Sequence, residues 1–451
     1  MLLNRQTGVQ TCPMTLAPET YAQRRRVLMD RIGPTAAAVF PAAPLAVRSN
    51  DVEYPYRQDN DFLYLTGFVE PEAVCLLLPG HAKEEFILFV RPRDPERETW
   101  TGRRAGIEGA VGTYGADMAY PIDKLNDKIG EYVGEREQVY YAFGRDLALN
   151  QRMLHWLQHW RQQRPRSGKG PISVLDPTEI VHEMRLLKST AEVACMRRAI
   201  EIAAVGHDAA LRAAHDGAYE YEIQALLDFH FRKLGGSGPA YPSIVATGVN
   251  ATILHYTTND QPMRDGDLLL IDAGAEYADY CADITRTFPV GPRFTSPQRA
   301  VYDVVLRAQR AAIEMIRPGV RVDEPHARAV EVLVDGLLDL GLVHGAREEI
   351  ISKEQYRPFY MHRTSHWLGM DVHDVGKYKV DGAARVLEPG MVLTVEPGLY
   401  IAADRAEVEA RYLGIGVRIE DDVLVTADGH EVLSAAIPKD PSDLEAIRAG
   451  S

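Results

Sequence analysis

The sequence predicts an α/β protein of two domains, and three observations carry that prediction. At 451 residues the chain exceeds one ordinary compact domain. Short apolar runs, punctuated by Pro, Gly and Asp, are interleaved with stretches of helical periodicity. The polar stretch Arg164–Gly170, followed by Asp176-Pro177, marks a boundary, so residues 1–175 and 176–451 are the expected domains.

In the first domain, residues 20–32 read as a short amphipathic helix that ends at Gly33-Pro34. Ala37–Phe40, Phe62–Thr66, Ala73–Leu78 and Phe86–Val90 read as strands, and residues 146–163 as a helix. In the second, Ser189 and Glu192 form a capping box, since hydroxyl and carboxylate can satisfy free backbone donors in a first helical turn. Val193, Met196, Ile200 and Ala203 then recur at helical spacing, and this helix is read as structural. Further helices are expected over Tyr221–Leu234, 297–316 and 324–340.

Composition narrows the function. The chain is 46% hydrophobic and 25% charged, which suits a globular protein and not a disordered one. Its formal net charge of −14 repels phosphate backbones, so no nucleic-acid partner is expected. The densest basic run, Arg24-Arg25-Arg26, reads as a solvated helix face. Cys12, Cys75, Cys195 and Cys281 show no Cys-x-x-Cys spacing, so neither a disulfide framework nor a thiolate zinc site is expected. Pro13, Thr15, Pro18 and Glu19 interrupt any apolar signal region, and no run is long enough to span a bilayer. A soluble cytoplasmic protein without a membrane partner is the expectation.

The chemistry gathers after residue 243. Leu268–Ile271 reads as a buried strand ending in Asp272-Ala273-Gly274, and Ala282–Phe288 as a second strand carrying Asp283. A two-residue turn at Tyr277-Ala278 or Ala278-Asp279 puts Asp272 and Asp283 on one face; a three-residue turn separates them. Two carboxylates on one buried face repel unless protonated or bridged by cations. His362, His366 and His373 form a local cluster, and the absence of Glu after His362 rules out the zincin pattern. Met391–Val395 ends in Glu396, and in Ile415–Glu420 the alternation places Arg418 and Glu420 together, opposite the apolar face. Asp272, Asp283, His366, Glu396 and Glu420 make an oxygen-rich set suited to two hard or borderline divalent ions, manganese ahead of zinc.

These motifs, in this order, resemble the pita-bread metallopeptidases, and among them the aminopeptidase P group. The matching stretches are Ile253–Tyr256, Asp272–Gly274, Asp283–Phe288, Met361–Gly376, Glu396–Gly398 and Gly414–Asp422, with Asp59–Phe68 in the first domain. The resemblance implies a creatinase-like α/β domain followed by a pita-bread domain with two pseudo-symmetric halves. It implies a metal-dependent aminopeptidase that cleaves before proline, through a hydroxide bridging two divalent ions, Mn²⁺ first, with Zn²⁺ or Co²⁺ possible.

By the same resemblance, Asp272 and Asp283 bind one ion, His366 and Glu396 the other, and Asp283 and Glu420 bridge. His255, His362 and His373 then bind substrate, stabilise the intermediate and move protons; Arg418 and Tyr400 support the centre, and Glu396 shares in catalysis. Tyr241 and Leu254 are candidates for a proline-ring pocket, and Trp100 for a residue lent to a neighbouring subunit of a dimer or tetramer. Arg363 departs from the smaller residues usual between the first two histidines of the cluster, which alters charge at the rim. Prolidase, which shares fold and metals but takes only dipeptides, is the nearest rival. A non-catalytic binding module, which typically lacks metal ligands, and methionine aminopeptidase fit less well.

Overall fold

The computed structural model describes residues 16–450, so Cys12, Pro13 and Thr15 lie outside it. Two compact units divide at Arg185/Leu186, later than the boundary expected near Asp176. The reason is that the helix Thr178–Leu186 is tied into the first unit. There, Arg185 and His182 both reach Asp61, at 2.8 and 3.2 Å, and Tyr64 Oη donates to Met184 O.

The N-terminal unit is built on a mixed six-stranded sheet. Its order is Met118–Pro121, Phe86–Val90, Val74–Leu77, Ala36–Pro41, Gln138–Tyr140, Ser173–Leu175. The helix Leu147–Ser167 contributes Met153, Trp156 and Trp160 to the core against one face. Two readings of this unit are corrected. Asn60–Thr66 is a helix, not a strand: Asp59 caps it by accepting from Phe62 N, and Gly67 at φ +66° closes it. Every residue from 61 to 66 is buried, so periodicity carried no signal. Nor are Arg24 and Arg25 solvated. Their guanidinium groups donate to Tyr64 O and Leu65 O, carbonyls of that helix's last turn, and lie 3.8 Å from the ring centres of Tyr64 and Phe86.

The C-terminal unit shows the two-half arrangement expected of a pita-bread domain. Each half sets a pair of long helices against a three-stranded antiparallel sheet. The first uses Thr190–Ala213 and Glu220–Lys233 with Ile244–Thr247, Leu268–Asp272 and Thr285–Pro289. The second uses Ser296–Met315 and Glu324–Asp339 with Val392–Val395, Asp421–Val425 and His430–Val432. The capping box at Ser189/Glu192 is present as expected. Cys75, Cys195 and Cys281 are buried and form no disulfide among the described residues. No described helix is long and apolar enough to cross a membrane.

Candidate metal centre

The hairpin adopts one of the two registers that bring its acids together. Tyr277 pairs with Tyr280 across Ala278-Asp279, whose φ values of 50° and 64° are those of a tight hairpin turn. Asp272 pairs with Thr285, two residues beyond Asp283, so both acids share a face. The strands crowd at Gly274, where a Cβ would strike the carbonyl of Ala282. Tyr241 Oη lies 2.6 Å from Asp272 Oδ1 and 2.5 Å from Asp283 Oδ1, so one proton serves two acceptors.

The second half delivers the remaining groups. Backbone bonds from Thr394 N to His366 O and from Glu396 N to Thr364 O seat the histidine segment on the strand that ends at Glu396. Glu420 N donates to Thr285 O, which joins the halves directly beside Asp272. Asp272, Asp283, His366, Glu396 and Glu420 consequently line one cleft of about 280 Å³, with Leu254, His255, His362, His373 and Arg418 also on its walls. Ligand atoms of Asp283, His366 and Glu420 all lie within 4.8 Å of one another.

Each group is oriented by a partner. His366 Nδ1 lies 3.0 Å from the carbonyl of Trp367, an acceptor only, so Nδ1 carries the proton there. Nε2 is left facing Asp283 Oδ2 at 3.3 Å and Glu396 Oε1 at 3.4 Å. Thr285 Oγ1 donates to Glu420 Oε2 at 2.6 Å. Arg418 donates to Asp272 at 2.7 Å, to Tyr400 Oη at 3.1 Å and to Thr285 Oγ1 at 3.1 Å. By the same tautomer argument, His362 Nδ1 donates to Arg363 O and its Nε2 accepts from Tyr400 Oη, both at 2.8 Å.

The electrostatics are lopsided. Burial is the largest cause raising the carboxyl groups of Asp272, Glu396 and Glu420 above their ordinary range, and the charge of Asp283 adds to it in all three. Arg418 opposes the shift in all three and is the buried arginine among four acids. Burial, helped by Arg418, lowers His362 to about 3, so its ring is neutral. Protein charge alone does not balance this cleft. Divalent cations would, and an oxygen-rich donor set with one imidazole fits them.

The remaining expected residues fall in four groups. Leu254 lines the cleft, and His255 and His373 stand exposed on its wall, their ring nitrogens without hydrogen bonds among the described residues. Tyr241 is more than a pocket wall, because its hydroxyl is committed to the two aspartates. It also lines an adjoining cavity of about 290 Å³ with Pro242, Ile244 and Val372. Tyr400, expected at the substrate, is buried behind His362 with its hydroxyl 2.8 Å from Nε2 and lines neither space. Trp100 is 88% exposed on the helix Pro95–Thr101 of the other unit.

Several supporting residues went unread. Thr285 had a signal, since it alternates in phase with Asp283. Asp422, which accepts from Asp283 N at 3.1 Å, and the buried pair Lys188–Asp374 at 2.8 Å, beside His373, had none in local pattern.

Comparison with known proteins agrees with this geometry. Residues 194–427 match metallopeptidase family M24, and residues 21–140 match the aminopeptidase P N-terminal domain. The Xaa-Pro aminopeptidase of Escherichia coli (strain K12) is 44% identical over 433 residues, covering 96% of this chain and 98% of that one. A solved Pseudomonas aeruginosa aminopeptidase superposes with a TM-score of 0.95 at 49% identity, covering 97% of this chain and 99% of that one. Zinc-substituted E. coli aminopeptidase P in complex with product gives 0.93 at 43%, with coverage of 97% and 99%.

Proposed function

The chain belongs to metallopeptidase family M24, and from that premise we propose that it is an aminopeptidase releasing the first residue of peptides with proline second. One observation carries the reading: four carboxylates and the Nε2 of His366 converge in one cleft whose buried arginine, Arg418, is already held by Asp272. Asp272, Asp283, His366, Glu396 and Glu420 would hold two divalent ions, manganese first, with zinc or cobalt as alternatives. When bound, such ions make a water nucleophilic near neutral pH and stabilise the oxyanion of an attacked carbonyl.

The chain's own groups do the rest. Tyr241, Thr285 and Arg418 hold the aspartates and Glu420 by charge-assisted bonds, so the carboxylates keep their directions through turnover. His255 and His373 have ring N–H groups to spare and donate to the scissile carbonyl oxygen as it becomes anionic. Glu396 carries a proton from the attacking water to proline's ring nitrogen, which has no hydrogen of its own and must gain one to leave. His362, with both ring nitrogens committed, forms a neutral wall whose position Tyr400 sets. The adjoining cavity beside Tyr241, with its proline, isoleucine and valine, suits an apolar ring.

We further propose a cytoplasmic homo-oligomer, dimer or tetramer, in which the exposed Trp100 meets a neighbouring subunit's substrate. The deciding experiment compares an Xaa-Pro-Yaa tripeptide with the Xaa-Pro dipeptide, using enzyme stripped of metal and reloaded with manganese, zinc or cobalt. Release of the first residue from the tripeptide, restored by metal, is expected. Cleavage of the dipeptide alone would make the protein a prolidase, and fewer than one bound ion per chain would make it a binding module.

A further inference from the structure

Arg363 stands between the catalytic cleft and a second cavity. The cleft wall includes His362 and Arg363, and so does the wall of a neighbouring space of about 420 Å³ that also contains Tyr356, Arg357 and Met361. Three arginines line these two walls, and two are engaged. Arg418 holds Asp272 at 2.7 Å, and Arg357 holds Glu354 at 2.8 Å. The second cavity's other acid, Glu331, is paired with Arg328 at 2.8 Å. Arg363 is exposed, and its guanidinium has neither an ion pair nor a hydrogen bond among the described residues.

Its backbone, by contrast, is fixed. Arg363 O receives His362 Nδ1 at 2.8 Å. The next residue, Thr364, is fully buried, with its hydroxyl 2.8 Å from His326 Nδ1 and 2.6 Å from Tyr360 Oη. An unspent planar donor on a rigid base, at the opening between two cavities, suits a carboxylate, which it can grip with two parallel bonds. We propose that Arg363 is a specificity-determining residue that selects peptides carrying a carboxylate near the scissile bond. This rests on the peptidase reading above. The carboxylate has two sources: the C-terminus of a short peptide, or the side chain of an acidic first residue.

The test uses full-length, manganese-loaded enzyme and two substrate pairs: Ala-Pro-Ala as free acid and as C-terminal amide, and Glu-Pro-Ala-amide against Gln-Pro-Ala-amide. Each enzyme variant supplies its own control, because only the ratio of kcat/KM within a pair is read. Native enzyme should favour the carboxylate member of one pair by about fivefold, the upper range for an exposed ion pair. In Arg363→Gln that ratio should fall to near one, in Arg363→Lys it should survive in part, and salt should erode it. Loss in the first pair identifies the C-terminus, and loss in the second identifies the side chain. Ratios that stay within twofold of native in both pairs would overturn the proposal. Failure to cleave any of the four peptides would instead overturn the peptidase reading.

Discussion

Asp61 of the N-terminal unit and the acids of the cleft are buried carboxylates in opposite circumstances. Around Asp61 stand Arg145 at 2.7 Å, Arg185 at 2.8 Å and His182 at 3.2 Å. Burial alone would raise its carboxyl group, but His182, Arg185 and Arg145 outweigh it and hold the group below the ordinary range. In the cleft, Asp272, Glu396 and Glu420 have the one buried arginine, Arg418, to oppose the shift, and burial wins. The same contrast occurs between adjacent residues. Glu420 faces the other acids and is pushed up, whereas Asp421, paired with Arg286, Lys439, Gln309 and Ser434, is held down. A buried acid whose charge the protein matches, as at Asp61 and Asp421, is structural. A buried cluster of acids that outnumbers the protein's cations is a site for a cation from outside.

The sharpest break of this contrast is to remove an acid from each region. Asp283→Ala should lose bound metal and peptidase activity together, seen by elemental analysis and turnover on the same sample. Retention of both would show that the cleft is not the metal centre. Asp61→Ala should keep full metal content yet destabilise the N-terminal unit by about 3–5 kcal/mol, because it breaks a buried ion pair with Arg185. Denaturant unfolding measures this, and a loss below about 1 kcal/mol would place the cluster with ordinary surface pairs.

The Asp61 effect also has a pH signature. A carboxyl group whose folded value lies below its unfolded value, ~3.9, contributes fully above that pH. The contribution fades as pH falls through the lower folded value. Native protein should therefore show a stability slope below about pH 4 that Asp61→Asn lacks.

Smaller effects separate chemistry from metal binding. His373→Ala should keep both ions while kcat falls about 10²-fold, as for loss of an oxyanion donor; loss of metal would show that His373 is a ligand. Thr285→Val removes the hydroxyl that donates to Glu420 without changing its volume, and should weaken metal affinity about tenfold. Affinity equal to native would show that the 2.6 Å bond does not orient the ligand.

Much of the fold was legible because it is locally encoded. Ser189 and Glu192 announced a helix start, the strand period put Asp283 on the face of Asp272, and alternation in Ile415–Glu420 sorted site residues from core. Failures occurred where burial erased the pattern. Phe62–Thr66 is buried on every side, so its cap at Asp59 was the informative residue, not its periodicity. Arg24 and Arg25 look like surface charges until the helix end that they cap is in view.

From the residues alone came the ligand types, their order along the chain and a hairpin whose two-residue turn aligns Asp272 with Asp283. Those features rest on nearest-neighbour geometry, the period of a strand and the chemistry of side chains. Which acids would be compensated was decided only in three dimensions. Arg185 reaches Asp61, Arg418 reaches Asp272 and Lys188 reaches Asp374 across stretches of chain that no local pattern spans. Coulomb energy depends on distance through space, so charge balance, and with it the demand for metal, becomes readable only when the chain has folded.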